Sequence, residues 1–112
     1  MKEDLIFLQH ITESINTIES HMLSVTKETF FESALIQDAV IRRIEIVGEA
    51  TKNLSTELRG KYPYIPWRSM AGMRDVLIHE YFGVDLKLVW DTATKKIPKL
   101  KKQIEEIIKA EQ

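Results

Sequence analysis

The sequence contains no cysteine and only four glycines and three prolines among 112 residues. The absence of cysteine excludes disulfide bonds, zinc sites built on cysteine and catalysis by a thiolate. The scarcity of glycine and proline leaves little room for tight turns, hairpins or long loops. Because leucine, isoleucine, glutamate and lysine are abundant instead, the composition favours an all-α fold.

Long apolar runs are missing as well. No stretch approaches the ~18 consecutive apolar residues that span a bilayer, so we expect no membrane association. The first four residues, Met1-Lys2-Glu3-Asp4, are too acidic for a signal peptide, and no apolar signal core follows them. Together with the lack of cysteine, these features fit a cytoplasmic location.

Charge is balanced overall but unevenly distributed. Hydrophobic residues make up 44% and charged residues 29% of the chain, which suits a single domain over residues 1–112. Residues 1–58 carry 5 Lys/Arg against 10 Asp/Glu, whereas residues 59–112 carry 11 against 7. The basic second half is suited to meet phosphates. Alternatively, its lysine-rich stretch is only the solvated face of a helix.

Apolar residues recur at three- and four-residue steps over long segments, which is typical of amphipathic helices. The predicted helices cover residues 4–24, 33–54, 66–82 and 85–109. The segments between the first three helices, residues 26–31 and 55–66, are expected to be irregular. This pattern predicts an antiparallel bundle of four or five helices.

Individual residues mark the ends of these helices. Ser33 and Asp85 are suitable N-caps for the second and last helices. Gly83 fits the position that ends the third helix. Pro98 lies inside the last helical region and must kink it or divide it into two helices.

The segment Arg74-Asp75-Val76-Leu77-Ile78-His79-Glu80-Tyr81 carries the chemistry. It combines a permanent positive charge with a group that exchanges a proton near neutral pH, which suits handling of a phosphodiester. On a helical wheel Asp75 and His79 lie together, but Arg74 and His79 are about 140° apart. Either Arg74 reaches around its helix, or it meets the His79 of a second copy.

Each of these residues also has a purely structural interpretation. An arginine in an apolar stripe, such as Arg74, is typical of a core-edge residue paired with a carboxylate of Glu45 or Glu49. His79 in the last turn of a helix is suited to cap the C-terminus. Tyr81 is typical of a core tyrosine with its hydroxyl at the surface.

No metal or nucleotide motif accompanies this segment. His10 and His21 are eleven residues apart and lack carboxylate or cysteine companions at ligand spacing. The sequence has no glycine-rich phosphate loop, nucleophile elbow or metalloprotease motif. We therefore expect neither a metal nor a cofactor.

With this motif, the chain resembles the HEPN superfamily and, within it, the HepT toxins. Their signature is Arg, four residues, His, one residue and Tyr, with Asn or Asp commonly after the Arg. Three flanking segments are also similar to that family: residues 46–50 with a Gly-Glu-Ala element, residues 62–68 before the motif helix, and residues 81–85 after it. The resemblance extends from about residue 4 to residue 108.

The resemblance implies a HEPN-like helical bundle that forms a homodimer and cleaves RNA as a metal-independent endoribonuclease. Arg74 and His79 would be catalytic, and Asp75 would position His79. The family is encoded beside a minimal nucleotidyltransferase, the MNT antitoxin, which neutralises the toxin by transferring AMP to the motif tyrosine, here Tyr81. An older description implies an alternative, a non-catalytic adaptor that binds substrate for a two-component nucleotidyltransferase.

Overall fold

The structure is a computed structural model that describes the backbone of residues 2–78 and 85–112 and the side chains of residues 3–73 and 85–112. Within those ranges every regular element is helical, which confirms the predicted all-α bundle. No helix in them is both long and apolar enough to cross a membrane. The elements in chain order are α1 (Lys2–Met22), α2 (Lys27–Glu32), α3 (Ala34–Lys52), α4 (Thr56–Lys61), α5 (Trp67–Ile78), α6 (Leu86–Asp91), a π-helical segment (Thr92–Lys96) and α7 (Ile97–Glu111).

Both predicted N-caps are confirmed. The Ser33 hydroxyl accepts a hydrogen bond from the Ile36 amide at 3.2 Å at the start of α3. The Asp85 carboxylate accepts one from the Leu88 amide at 3.1 Å at the start of α6. Each bond satisfies an amide that has no partner within its own helix. Gly83 and the predicted end of the third helix lie outside the described residues.

The prediction that residues 26–31 and 55–66 are irregular is wrong, because α2 and α4 occupy much of these segments. Each short helix begins at a hydroxyl N-cap, Thr26 for α2 and Ser55 for α4. In both, the hydroxyl oxygen accepts a hydrogen bond at 3.1 Å from the backbone amide three residues further along the chain. A six-residue helix makes fewer than two turns, at about 3.6 residues per turn, so it has no room for a periodic apolar stripe. Its presence depends on the cap and on packing instead.

The core is built from the apolar stripes of α1, α3 and α7. Helix α3 packs against both α1 and α5, and α7 packs against α1. Full burial of one such side chain stabilises the fold by about 1.5–3 kcal/mol, so these stripes dominate its stability. The apolar side chains of these three helices that have no exposed surface are Leu8, Ile11, Ile15, Ile18, Val40, Ile44, Val47, Ile97, Ile104 and Ile107.

Polar contacts show that the long helices are antiparallel. Asp4, in the first turn of α1, is 3% exposed and accepts hydrogen bonds from the Ser55 amide at 2.8 Å and the Ser55 hydroxyl at 2.7 Å. Because Ser55 follows α3, the start of α1 lies beside the end of α3. Near the other end of α1, Glu19 pairs with Lys101 in the first half of α7 at 2.6 Å. Helix α1 is therefore antiparallel to both neighbours.

Pro98 divides the last helical region, as predicted. A proline has no amide proton and cannot continue an α-helical hydrogen-bond ladder. The chain widens into the π-helical segment just before it, where the Ile97 amide donates to the Thr92 carbonyl. Helices α6 and α7 are consequently separate elements on either side of this segment.

Candidate functional site

Helix α5, which carries the first half of the motif, begins at a junction that several hydrogen bonds hold. Pro66 precedes it, and the Pro66 carbonyl accepts from the Met70 amide at 2.9 Å. The Trp67 indole nitrogen donates to the Arg59 carbonyl at 3.1 Å and to the Tyr62 carbonyl at 2.9 Å. The first turn of α5 is therefore tied to the end of α4.

The helical wheel predicts one apolar stripe on the motif helix, and the members of it whose side chains are described are buried or half-buried. The stripe consists of Trp67, Met70, Met73, Leu77 and Ile78. Trp67 is 7% exposed and Met70 is 1% exposed, while Met73 is half-buried against the same core. The neighbouring Arg68 and Ser69 are exposed. The side chains of the later members of the predicted stripe, residues 77 and 78, lie outside the described residues.

The motif residues are described only in part. Arg74 and Asp75 lie in α5, directly after Met73 and before the described end of the helix at residue 78. Their side chains, and the whole of His79 and Tyr81, lie outside the described residues. The angular separation of Arg74 and His79 therefore stays a prediction, as does the alternative pairing of Arg74 with a carboxylate of the second predicted helix.

A groove of about 340 Å³ opens beside the motif helix, between the segment from residue 64 to residue 73 and the first half of α7. Its floor contains the buried side chains of Met70, Ile97 and Leu100. Lys96 and Lys99 are exposed at its edge. The described residues that line it, none of them acidic, are Tyr64, Pro66, Ser69, Met70, Met73, Lys96, Ile97, Lys99, Leu100 and Gln103.

One wall of the groove is an exposed tyrosine beside a polar cluster. The Glu111 carboxylate accepts hydrogen bonds from Lys61 Nζ at 2.8 Å and from the Tyr62 hydroxyl. The hydrogen bond from Lys61 has the largest effect on Glu111, and together with the bond from Tyr62 it holds the pKa of Glu111 below its ordinary 4.5. The same bonds raise the pKa of Lys61 and the pKa of Tyr62. The Tyr62 ring meets the Tyr64 ring edge to face, with centroids 6.3 Å apart. Through Tyr62 the cluster thus contacts Tyr64, which is 59% exposed.

No local pattern in the sequence indicates this groove directly. In the sequence, Tyr64 belongs to a segment that flanks the motif, and the lysines around Pro98 belong to a basic stretch. A signal was nevertheless present, because Lys96, Lys99 and Gln103 recur at helical spacing on one side of the Pro98 region. What the sequence could not provide was the juxtaposition of this side of α7 with the start of α5.

Metal ligands are not grouped in the part of the chain that the structure describes. Among the side chains of residues 3–73 and 85–112, no set of three or more His, Asp or Glu is placed to hold a metal ion. His10 and His21 are both exposed on α1. His10 lies edge to face with the Phe7 ring, with centroids 6.1 Å apart.

An all-helical bundle that carries an Arg-x4-His-x-Tyr motif defines a HEPN-like protein. The family model described as "Ribonuclease HepT-like" matches residues 11–107, and the chain belongs to this family. The match includes the whole motif from Arg74 to Tyr81.

Three relatives show how far the similarity extends. "Probable ribonuclease HepT" of Thermococcus cleftensis is 45% identical over 103 residues, which are 92% of this chain and 94% of that protein. A protein of Caldanaerobacter subterraneus subsp. tengcongensis named "Putative RNase" is 41% identical over 111 residues, 99% of each chain. A Methanocaldococcus jannaschii protein named "Gamma-glutamylcyclotransferase and putative RNase" is 55% identical over 109 residues, and this chain spans 49% of its length. No solved structure is significantly similar.

Proposed function

We propose that the chain is the toxin of a type II toxin–antitoxin pair and acts as a metal-independent endoribonuclease. The observation that carries this proposal is the ribonuclease family match over residues 11–107, which contains Arg74, Asp75, His79 and Tyr81. The ribonuclease names of relatives that align over nearly their whole length support it. The other candidate, a non-catalytic adaptor, has no evident need for an intact Arg74 and His79 pair.

Cleavage of RNA without a metal requires a base, an acid and a cation at the phosphate. The base removes the proton of the 2′-hydroxyl, and the 2′-oxygen attacks phosphorus. The bond to the 5′-oxygen breaks, the acid protonates that oxygen, and a 2′,3′-cyclic phosphate remains. The imidazole of a histidine such as His79 exchanges a proton near neutral pH and is therefore suited to either proton transfer.

Arg74 and Asp75 have supporting roles in this mechanism. A guanidinium binds two phosphate oxygens through parallel hydrogen bonds and stabilises the charge that develops in the transition state. Asp75 precedes His79 by four residues, a spacing at which its carboxylate would orient the imidazole if the helix continued to His79. Without this orientation the ring would present its nitrogens to the substrate less often.

A homodimer would bring two histidines and two arginines to one cleft. On α3, Leu35 is 81% exposed and Ile46 is partly exposed. These two residues are about 20° apart on the helical wheel, so they share a face. Ile41, also partly exposed, lies on another side of α3. The surplus apolar surface supports association, and a purely monomeric mass in light scattering at micromolar concentration would count against a shared cleft.

Neutralisation by the MNT nucleotidyltransferase would use Tyr81. The tyrosine oxygen attacks the α-phosphorus of ATP, the bond to the β-phosphate oxygen breaks, and pyrophosphate leaves. The proton of the hydroxyl passes to a base of the transferase. Tyr81 is two residues from His79, so the attached AMP would add bulk and negative charge where the RNA phosphate binds.

Substitution of the motif histidine tests the ribonuclease activity. We expect His79→Ala to lower the rate of RNA cleavage by about 10²- to 10⁴-fold, because it removes a proton-transfer group. His21→Ala, at an exposed histidine on α1, should cut RNA like the wild type. A chelator should leave the wild-type rate unchanged. If wild type and His79→Ala are equally harmless to cells and neither cuts RNA, the hypothesis of a non-catalytic adaptor is favoured.

Intact mass after incubation with the cognate nucleotidyltransferase and ATP tests the role of Tyr81. The wild type should gain the mass of AMP and lose its ribonuclease activity together. Tyr81→Phe should gain no mass and stay active in the presence of the transferase. Full AMP addition to Tyr81→Phe would instead show that another residue is the acceptor.

A further inference from the structure

We propose that the groove between the start of α5 and α7 binds single-stranded RNA beside the motif. An unpaired base would lie on the apolar floor next to Tyr64, and backbone phosphates would meet Lys96 and Lys99. This inference rests on the proposed ribonuclease function and adds the surface that holds its substrate.

The floor and wall of the groove suit a flat aromatic group. Met70 is 1% exposed, Ile97 has no exposed surface, and Leu100 is 5% exposed, so together they form a closed apolar base. Tyr64 also lines the groove and has 59% of its surface exposed. Single-stranded RNA is commonly recognised by stacking of its bases on aromatic side chains, whereas bases within a duplex are inaccessible to such stacking.

The polar groups of the groove suit a phosphodiester backbone and base edges. Lys96 and Lys99 are one turn apart and exposed, and neither forms an ion pair within the described part of the chain. Lys95, which lies outside the groove, is by contrast paired with Asp91 at 3.6 Å. Because no described lining residue is acidic, the local field attracts an anion.

The size of the groove favours a nucleotide over a protein element. Its volume of about 340 Å³ is at the lower end of the range for small-ligand sites, about 300–1,000 Å³. A helix of a protein partner, with a diameter of about 10–12 Å, would lie over such a groove without filling it.

The groove also lies on the motif helix, just before the motif in the chain. Met70 and Met73 contribute to its lining from α5, and Arg74 follows in the same helix. Along the helix axis, the rise from Met73 to residue 78 is about 8 Å, at about 1.5 Å per residue. A strand held in the groove would therefore continue toward the motif, where cleavage is proposed.

Fluorescence polarisation with a short labelled single-stranded RNA tests the phosphate contacts, in a His79→Ala background that prevents cleavage. We expect Lys96→Ala/Lys99→Ala to weaken binding and to make the slope of log K against log salt shallower by about 1.4, or about 0.7 for each lost phosphate contact. Lys102→Ala/Lys109→Ala, which removes two exposed lysines of α7 outside the groove, should keep the wild-type slope.

The stacking contact is tested in the same assay. Tyr64→Ala should lower the affinity about tenfold, the effect of losing one base stacked on an aromatic ring. Tyr64→Phe keeps the ring and should bind nearly as tightly as the parent. Equal affinity of the alanine variant, the lysine pair variant and the parent would overturn the proposal.

Cleavage kinetics separate failure of the groove from failure of the ribonuclease function. With His79 present, the lysine pair variant should raise KM about tenfold while kcat stays within about twofold. If wild type cuts RNA and the groove variants match it in both constants, the groove proposal falls and the function stands. If wild type neither binds nor cuts RNA, both the groove proposal and the proposed ribonuclease function fall.

Binding to the purified nucleotidyltransferase tests the other possible occupant of the groove. If the variants keep RNA affinity but lose binding to the nucleotidyltransferase, the groove is a protein-docking site and the RNA proposal is wrong.

Discussion

Helix α7 packs tightly against its neighbour on one side and loosely against its neighbour on the other. Toward α1 it forms a closed seam, in which Ile104 and Ile107 have no exposed surface and Lys101 pairs with Glu19 at 2.6 Å. Toward the start of α5 it leaves an open groove edged by the exposed Lys96 and Lys99. The same helix therefore supports the fold on one side and borders the proposed binding surface on the other.

The difference lies in the neighbours rather than in α7 itself. The α1 stripe consists of branched aliphatic residues that interlock with those of α7, and such packing leaves little free volume. The α5 side presents Met70 and Met73, whose flexible side chains adapt to irregular surfaces. We infer that stability is concentrated in the α1, α3 and α7 core and that recognition is concentrated along α5.

The largest effect should come from a cavity in the closed seam. Ile104→Ala should lower the free energy of unfolding by about 2–5 kcal/mol, because it removes buried methyl groups and leaves a void. Ile6→Ala makes the same chemical change on α1 at a side chain that is 51% exposed, and should cost less than about 1 kcal/mol. Urea denaturation followed by circular dichroism measures both. Equal losses would show that the seam is less tightly packed than the structure indicates.

A smaller effect should come from the carboxylate that joins α1 to the end of α3. Asp4→Ala should lower the free energy of unfolding by about 1–3 kcal/mol, because it leaves the Ser55 amide and hydroxyl without their acceptor. Glu3→Ala removes the same charge at an exposed neighbouring position and should have little effect. If both substitutions lower the free energy of unfolding equally, the loss comes from removing a negative charge at the start of α1. The hydrogen bonds between Asp4 and Ser55 would then contribute nothing of their own.

These contacts also show which parts of the fold a sequence can predict. The long stripes of α1, α3 and α7 were predictable because their periodicity extends over several turns. The caps at Ser33 and Asp85 were predictable from side-chain chemistry alone. Helices α2 and α4 were not, because a six-residue helix depends on its cap and on tertiary burial, as with the fully buried Phe30.

The candidate site likewise has one part that the sequence could predict, the motif, and one that it could not, the groove. The motif was predictable from the spacing of Arg74, His79 and Tyr81, because a family motif is recognised from residues that are close together in the chain. The groove joins Tyr64 to Lys99, which are 35 positions apart in the chain (99 − 64), and depends on how α7 leaves the π-helical segment. No local pattern contains that information, so the groove emerges only from the three-dimensional arrangement.

The smallest effect should come from the polar cluster beside the groove, and it should depend on pH. The pKa of Glu111 is lowered in the folded protein, so its contribution to stability is present above the ordinary 4.5 and is lost as pH falls through the lowered value. The raised pKa of Lys61 adds a contribution that is present below 10.5 and is lost as pH rises through the raised value. The contribution of the pair is therefore greatest between these two limits.

Thermal unfolding of Glu111→Gln tests this directly. The melting temperature of the variant should lie below that of the wild type near neutral pH, and the gap should narrow as the medium is acidified below 4.5. The effect should be small, because Lys61 is exposed and water screens its charge. Glu106→Gln, at an exposed carboxylate of the same helix, should show no such gap. A gap for Glu111→Gln that does not change with pH would mean that the side chain acts through packing. Tyr62 would then keep its position beside Tyr64 without help from the charged pair, and the groove wall would not depend on charge.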